Sequence, residues 1–200
     1  MKTPGVTVRP IIMTDGAKDS SLLMLVGTEN ASASAPPYFT YTSAEMDANL
    51  LRIFGTAPTV DMTTGVYLNF ANDYAVRFPG ENAADSVYSP YGYDAMYALA
   101  IAIAAAGFDV TPARISEMLS RISGVPNSSG ESCLTSANLA SVGSSNFLQA
   151  KNKVLAGKGV TLLGASGAIC FTPHGDRGSG VYEKWTVNVA NRRYDSMPAQ

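Results

Sequence analysis

The stretch from Tyr91 to Gly107, YGYDAMYALAIAIAAAG, constrains the fold of this chain more than any other part of the sequence. Pro90 suits the first turn of a helix, and Gly107 is well placed to end it. Thr111 and Pro112 then supply the cap and the first turn of a second helix, whose apolar side chains recur at helical spacing. The pattern predicts two consecutive helices that face one core.

Shorter patterns predict the remaining elements. β-branched and aromatic runs predict strands over residues 6–13, 38–42, 160–163, 167–172 and 180–188. Helical spacing predicts helices over residues 45–54 and 66–78. Capping residues and Gly27 predict a short helix over residues 22–26, and we expect a turn of helix within residues 147–156. We expect a loop over residues 55–64 and a long irregular segment over residues 123–145.

Composition excludes several classes of protein. Hydrophobic residues make up 46% of the 200 and charged residues 15%, which indicates a globular chain. The formal charge of −2 arises without long charged runs, so nucleic acid is not an expected partner. The run Ala98–Ala106 is about half as long as the ~20 residues that cross a bilayer, and no signal-peptide pattern follows Met1.

Few residues offer catalytic or metal chemistry. His174 is the only histidine, which limits acid–base catalysis near neutral pH. Cys133, Cys170 and His174 loosely allow zinc, but the strand-and-turn context and the absence of a CxxC pair argue against a metal site. A disulfide between the two cysteines is one alternative, and a small buried hydrophobic role for Cys170 is another.

Two glycine-rich segments fail as enzyme motifs. Ser166 lies where a nucleophile elbow would place it, but Ala168 replaces the final glycine of that motif. The segment Gly157-Lys158-Gly159 misses both dinucleotide and phosphate-loop spacing. We therefore predict no catalytic residue, no cofactor and no enzyme. A hydrolase that pairs His174 with a nearby serine or cysteine is the remaining catalytic alternative.

Several short motifs follow one another in an order that resembles a known family, the type 1 periplasmic binding proteins. This family includes the branched-chain amino-acid binding proteins of ABC transporters and related extracellular receptors, and the similarity is to their carboxy-terminal half. The motifs are Tyr93-Asp94-Ala95, Ala106-Gly107, Gly164-Ala165-Ser166-Gly167, Phe171 and Gly175-Asp176.

The resemblance implies an α/β sandwich with a parallel central sheet flanked by helices, containing segments of two lobes. Residues 1–53 and 159–200 would lie toward the second lobe and the crossovers, and residues 54–158 toward the first. Family members are longer, so we expect a truncated chain. A partner half, or a homo-oligomer formed through exchanged segments, would complete it.

The resemblance also implies a function, namely binding of a small polar ligand such as an amino acid by hinge closure, for ABC transport or sensing. The parent protein would be periplasmic or extracellular and would have a membrane transporter or receptor as partner. Asp15 matches the acidic residue that faces the ligand's ammonium group, with Thr14 and Gly16 beside it.

Tyr93 is a further candidate for ligand contact, because aromatic side chains in a cleft commonly stack on ligands. Each assignment has a structural alternative: Asp15 caps the following helix, and Tyr93 belongs to an aromatic core stripe. For the whole chain, the alternative is a truncated, self-associating structural module without a small-molecule ligand.

Overall fold

The computed structural model describes residues 9–24, 43–108, 110–123, 138–157, 159–172, 174–178 and 180–197. The chain has mixed helices and strands and divides into two compact units. Unit 1 comprises residues 1–58 and 182–200, and unit 2 comprises residues 59–181. Within the described ranges, no helix combines the length and hydropathy that a membrane span requires.

Unit 1 is built on a four-stranded sheet with the order β1-β2-β6-β7. β1 (Ile11–Met13) runs parallel to β2 (Ile53–Thr59), and β6 (Val181–Asn188) forms an antiparallel pair with β7 (Arg193–Met197). Two short helices, α1 (Ser20–Leu23) and α2 (Ser43–Leu50), accompany the sheet.

The core of unit 1 centres on Trp185, which is completely buried. Its ring lies directly on Gly55 of the neighbouring strand. A Cβ atom at Gly55 would lie 2.6 Å from Cζ2 of Trp185 and 2.5 Å from the carbonyl oxygen of Met13. A side chain at this position would collide with the indole and with the Met13 carbonyl group, so the packing of Trp185 requires glycine at position 55.

Unit 2 combines four helices with a three-stranded sheet in the described residues. The helices are α3 (Gly65–Arg77), α4 (Ser89–Ala106), α5 (Pro112–Ser120) and α6 (Phe147–Ala156). β3 (Leu139–Ser141) is parallel to β4 (Thr161–Gly164), which is antiparallel to β5 (Gly167–Ile169).

The predicted pair of helices facing one core is confirmed. Residues from one side of α4 are buried together with residues of α5, α6 and β4. The Thr111 side chain accepts a hydrogen bond of 3.2 Å from the backbone N–H of Arg114, so it caps α5 as predicted. Members of this shared core include Ala98, Ile101, Ala102, Ala105, Met118, Val154 and Leu162.

Other predictions were wrong. The helix expected over residues 45–54 ends at Leu50, and the expected loop contains strand β2. Alternate residues of β2, Ile53, Gly55 and Ala57, are buried, so a period of two replaces the helical period there. β3 lies inside the segment expected to be irregular, and β7 was not predicted. The expected parallel central sheet is instead two mixed sheets.

Several boundaries also differ. β1 begins at Ile11, and residues 6–8 of the predicted strand lie outside the described residues, as does the strand expected over residues 38–42. β5 ends at Ile169, after which Phe171 forms a bridge to Arg177. Unit 2 continues to Val181, whereas the sequence placed a boundary near residue 158. The assignment of these units to lobes of a binding protein stays a prediction.

Candidate functional site

The candidate site lies in unit 1, where Thr14, Asp15 and Gly16 follow the carboxyl end of β1. β1 and β2 are parallel, with Met13 opposite Gly55. In open α/β sheets, ligands bind beyond the carboxyl ends of parallel strands, because the loops there present backbone and side-chain groups together. The three predicted residues therefore occupy an edge suited to binding.

No hydrogen bond joins the side chain of Thr14 or Asp15 to another described residue. Thr14 is the N-cap of the 3₁₀ turn Asp15–Ala17, yet its side chain makes no capping hydrogen bond. Asp15 is half-buried, and its carboxylate accepts no hydrogen bond from any described residue. A Cβ atom at Gly16 would meet nothing within 4 Å. A carboxylate with unused acceptor capacity and open space beside it is able to receive a cationic donor.

The structure does not support the alternative in which Asp15 caps the next helix. The capping residue of α1 is Asp19, whose Oδ1 accepts a hydrogen bond of 2.8 Å from the backbone N–H of Ser21. This contact and the side-chain hydrogen bonding to Ser21 lower the pKa of Asp19. Asp19, four residues after Asp15, thus has the capping role that was the structural alternative for Asp15.

Distant side chains of unit 1 hold the loop that carries Asp15. The hydroxyl of Tyr194 on β7 donates hydrogen bonds to the carbonyl oxygens of Asp19, at 2.6 Å, and of Ala17, at 3.2 Å. Lys18 forms an ion pair with Glu183 of β6, and its ammonium nitrogen lies 5.9 Å from the Tyr194 ring centroid. The part of the loop that follows Asp15, residues 17–19, is therefore anchored, while the Asp15 side chain stays unpaired with described residues.

Burial raises the pKa of Tyr194 from 10.0 to about 12. The phenol consequently keeps its proton, and its role as hydrogen-bond donor, throughout the physiological pH range. The carbonyl oxygens of Ala17 and Asp19 need that proton, because they only accept hydrogen bonds.

Tyr93, the other predicted ligand contact, lies in unit 2 within an aromatic cluster. Its ring centroid is 5.0 Å from that of Phe70 and 4.8 Å from that of Tyr97. The side chain is half-buried, and burial together with its hydrogen bond to Tyr97 raises the pKa of Tyr93. These contacts are those of the aromatic core stripe that the sequence left as the alternative. Tyr93 does not share a unit with Asp15.

Sequence reasoning missed the most extensive polar network of unit 2, which centres on Asp94. This residue of α4 is 3% exposed. Its carboxylate accepts hydrogen bonds from the backbone N–H groups of Ala165, at 2.8 Å, and Ser166, at 2.7 Å, and from the Ser166 hydroxyl. Burial raises the pKa of Asp94, and the hydrogen bonds and the nearby Arg177 oppose that rise.

Arg177 and Gly164 complete the network around the β4–β5 turn. Nη1 of Arg177 donates to the Ser166 hydroxyl at 2.8 Å, and Nη2 donates to the carbonyl oxygens of Ser166 and Ala168. At Gly164, a Cβ atom would lie 2.2 Å from Oδ2 of Asp94, so any side chain there would collide with the carboxylate. The turn is built around a buried carboxylate whose hydrogen bonds all serve the fold.

A signal for this network was present in the sequence. Asp94 is the only charged residue within α4, and a lone carboxylate on an otherwise uncharged helix must find partners if it is buried. The motifs Tyr93-Asp94-Ala95 and Gly164-Ala165-Ser166-Gly167 were noted separately because of their order in the chain. Their direct contact follows only from the three-dimensional fold.

Ser166 and His174 are the remaining side chains that the sequence offered for catalysis or metal binding. The Ser166 hydroxyl is engaged by both Asp94 and Arg177. His174 is exposed, and its imidazole makes no hydrogen bond to another described residue. No group of three metal-binding side chains occurs in the part of the chain that the structure describes.

Cys170 is buried and disulfide-bonded. Cys133 is the only other cysteine of the chain, and it lies outside the described residues. Cys170 is thus buried, as the second alternative had it, and its sulfur is also engaged in a disulfide. Comparison with protein-family models, with curated proteins and with solved structures gave no match for this chain.

Proposed function

We propose that this chain is part of a solute-binding or receptor protein that holds a small polar ligand with an ammonium group, such as an amino acid. The observation that carries the proposal is the half-buried Asp15 carboxylate, at the carboxyl end of a parallel strand and without a partner among the described residues. A carboxylate in this position favours a cation, because charge-assisted hydrogen bonds are stronger where water is partly excluded.

The neighbouring groups support the same class of ligand. The Thr14 hydroxyl is exposed and makes no capping hydrogen bond, so it is available to a second polar group of the ligand. The adjacent cation, Lys18, is already paired with Glu183 and does not neutralise Asp15. Among the described residues, no cation is paired with the Asp15 carboxylate.

The proposed mechanism is hinge closure, in which the ligand shifts the population toward a closed form by contacts made only there. The motifs from Tyr93 to Asp176 motivate this part of the proposal, since they resemble those of type 1 periplasmic binding proteins. The parent protein would deliver its ligand to a membrane transporter or receptor. A disulfide at Cys170 supports a periplasmic or extracellular location, because disulfides persist in oxidising compartments.

Calorimetric titration of the full chain with the standard amino acids tests the proposal. We expect at least one amino acid to bind and to raise the unfolding temperature in a concentration-dependent way. The matched N-acetyl amino acid should not bind, because acetylation removes the positive charge that Asp15 would face.

Asp15→Asn is the decisive variant, since it removes the charge and keeps the size of the side chain. We expect it to weaken binding by about tenfold or more, and Asp176→Asn, on an exposed turn, to leave affinity within about twofold. Binding that survives Asp15→Asn, or a chain that responds to no amino acid, would contradict the proposal and favour the structural-module alternative.

A further inference from the structure

The outer surface of α4 is apolar along most of its length. Here the outer stripe denotes six exposed residues, Gly92, Ala95, Met96, Leu99, Ala100 and Ile103. They recur at spacings of three and four and so share one side of the helix. Met96 is 67% exposed, Leu99 40% and Ile103 38%. A helix that faces water normally carries polar or charged residues on that side, and this stripe has none.

The opposite side of α4 is buried in the core with α5 and α6. The helix is therefore apolar on both sides, a pattern typical of helices that are covered on both sides. Its single charged residue, Asp94, is turned into the protein and used by the β4–β5 turn. Nothing in the fold of the described residues requires the outer stripe to be apolar, so its composition points to an external contact.

We infer that the outer stripe of α4 is the interface through which two copies of this chain associate. Electrostatics favours a second copy as the occupant, because a two-fold interface brings identical surfaces together and any charge on it would face its own sign. The stripe contains no charge that could do so. The formal net charge of only −2 adds little long-range repulsion between copies.

The order of large and small residues along the stripe suits an antiparallel two-fold pair. With the axis between residues 97 and 98, Met96 of one copy meets Leu99 of the other, Ala95 meets Ala100, and Gly92 meets Ile103. The small residues on either side of the central large ones allow the helices to approach to the usual ~8–10 Å between axes. Each contact thus joins two residues of the outer stripe, one from each copy of the chain.

Exposed apolar residues continue beyond the carboxyl end of α4 and could add area to the interface. Phe108 and Val110, which follow the helix, are fully and half exposed. An aromatic side chain buries about 150–250 Å², so Phe108 alone could supply about a quarter of the ~800 Å² that each partner contributes to a standard interface.

Sedimentation equilibrium of the full chain at about 1–100 µM tests the inference, since interfaces near the lower size limit dissociate in this range. We expect a reversible monomer–dimer equilibrium. Met96→Glu and Leu99→Lys should each weaken dimerisation by about tenfold or more, because each places like charges on the two sides of the two-fold axis. The control, Val76→Glu, changes an 82% exposed apolar residue of α3 and should leave the equilibrium unchanged.

A mixture of the two charged variants tests the geometry. The carboxylate introduced by Met96→Glu in one copy would meet the ammonium group introduced by Leu99→Lys in the other. The mixture should therefore regain a dimer that neither variant forms alone. A wild-type chain that is monomeric at every concentration overturns the inference, and so does a dimer that both variants leave intact. Circular dichroism of each variant identifies any that fails to fold. The result is independent of ligand binding by Asp15.

Discussion

The two units of this protein each use a side chain from a distant element to hold a loop that follows a strand, but they use opposite chemistry. In unit 2, the Asp94 carboxylate accepts hydrogen bonds from the N–H groups of the turn after β4. In unit 1, the Tyr194 hydroxyl donates to the carbonyl oxygens of the loop after β1. In unit 2, the carboxylate of Asp94 holds the loop after β4. In unit 1, the loop after β1 carries Asp15, whose carboxylate makes no hydrogen bond to a described residue.

The hydrogen bonds of the two carboxylates therefore distinguish the structural acid, Asp94, from the candidate binding acid, Asp15. Asp94 is buried, and both of its oxygens accept hydrogen bonds from backbone or hydroxyl donors. Asp15 is half-buried and has no donor among the described residues. A buried acid that lost its donors would be costly, so these hydrogen bonds mark Asp94 as part of the fold. Unused acceptor capacity in a loop held by other residues is what a binding site requires.

The largest effect is expected for Asp94→Ala. The substitution leaves the N–H groups of Ala165 and Ser166 without their acceptor inside the protein and leaves Arg177 without its opposite charge. We expect the free energy of unfolding to fall by about 3–5 kcal/mol, as when one partner of a buried charged network is removed. Urea denaturation followed by circular dichroism measures this change.

The control for Asp94→Ala is Asp176→Ala, which removes the same group from an exposed turn. Its effect should stay within about 0.5 kcal/mol. If the two substitutions cost the same, Asp94 does not hold the turn, and the proposed contrast between the units fails.

A smaller effect is expected for Tyr194→Phe, which removes only the hydroxyl that holds the Asp15 loop. The free energy of unfolding should fall by about 0.5–1.5 kcal/mol, the usual contribution of neutral hydrogen bonds. The lost stability should also depend on pH. The pKa of Tyr194 is raised from 10.0 to about 12 in the folded protein, so the folded state binds this proton more tightly than the unfolded state does.

Stability from this proton is fully present below pH 10 and is lost as the pH rises toward 12. Denaturation between pH 9 and 12 should therefore show a decline in the wild type that is smaller in Tyr194→Phe. Equal slopes in the two proteins would show that the hydroxyl does not anchor the loop. Ligand affinity should fall as well in Tyr194→Phe, because the loop that presents Asp15 is less well positioned.

The smallest effect on stability is expected for Asp15→Asn. Since the fold makes no hydrogen bond to this carboxylate from the described residues, the free energy of unfolding should change by less than about 0.5 kcal/mol. The same substitution in the ligand titration should have its full effect. A large loss of stability would reveal a structural role for Asp15 and remove the distinction from Asp94.

Predictions from sequence succeeded where local signals were strong. α3 and α5 have helical periodicity, and α4 has Pro90 in its first turn and is followed by Gly107. Strand β2 was missed because Gly55 and Pro58 argue against a strand by propensity alone. It forms because Gly55 admits the Trp185 ring from another strand, a contact between residues far apart in the chain.

The candidate site shows the same division. The resemblance singled out Asp15, with Thr14 and Gly16 beside it, and the structure places the three residues at the carboxyl end of a parallel strand. Tyr93 was singled out by residue type, and the structure surrounds it with Phe70 and Tyr97. Residue type alone does not distinguish an aromatic side chain in a core from one in a cleft.

The sequence by itself determined the main helices of unit 2, the strand that precedes Asp15 and the scarcity of catalytic groups, because periodicity, caps and composition are local properties. Only the tertiary structure decided that Asp94 is hydrogen-bonded within the fold and that Asp15 has no hydrogen-bond partner among the described residues. That outcome depends on contacts of Asp94 with Ser166 and of Tyr194 with Asp19, pairs far apart along the chain. The hydrogen-bond partners of a carboxylate are residues that become its neighbours only in the folded chain, so no local sequence pattern encodes them.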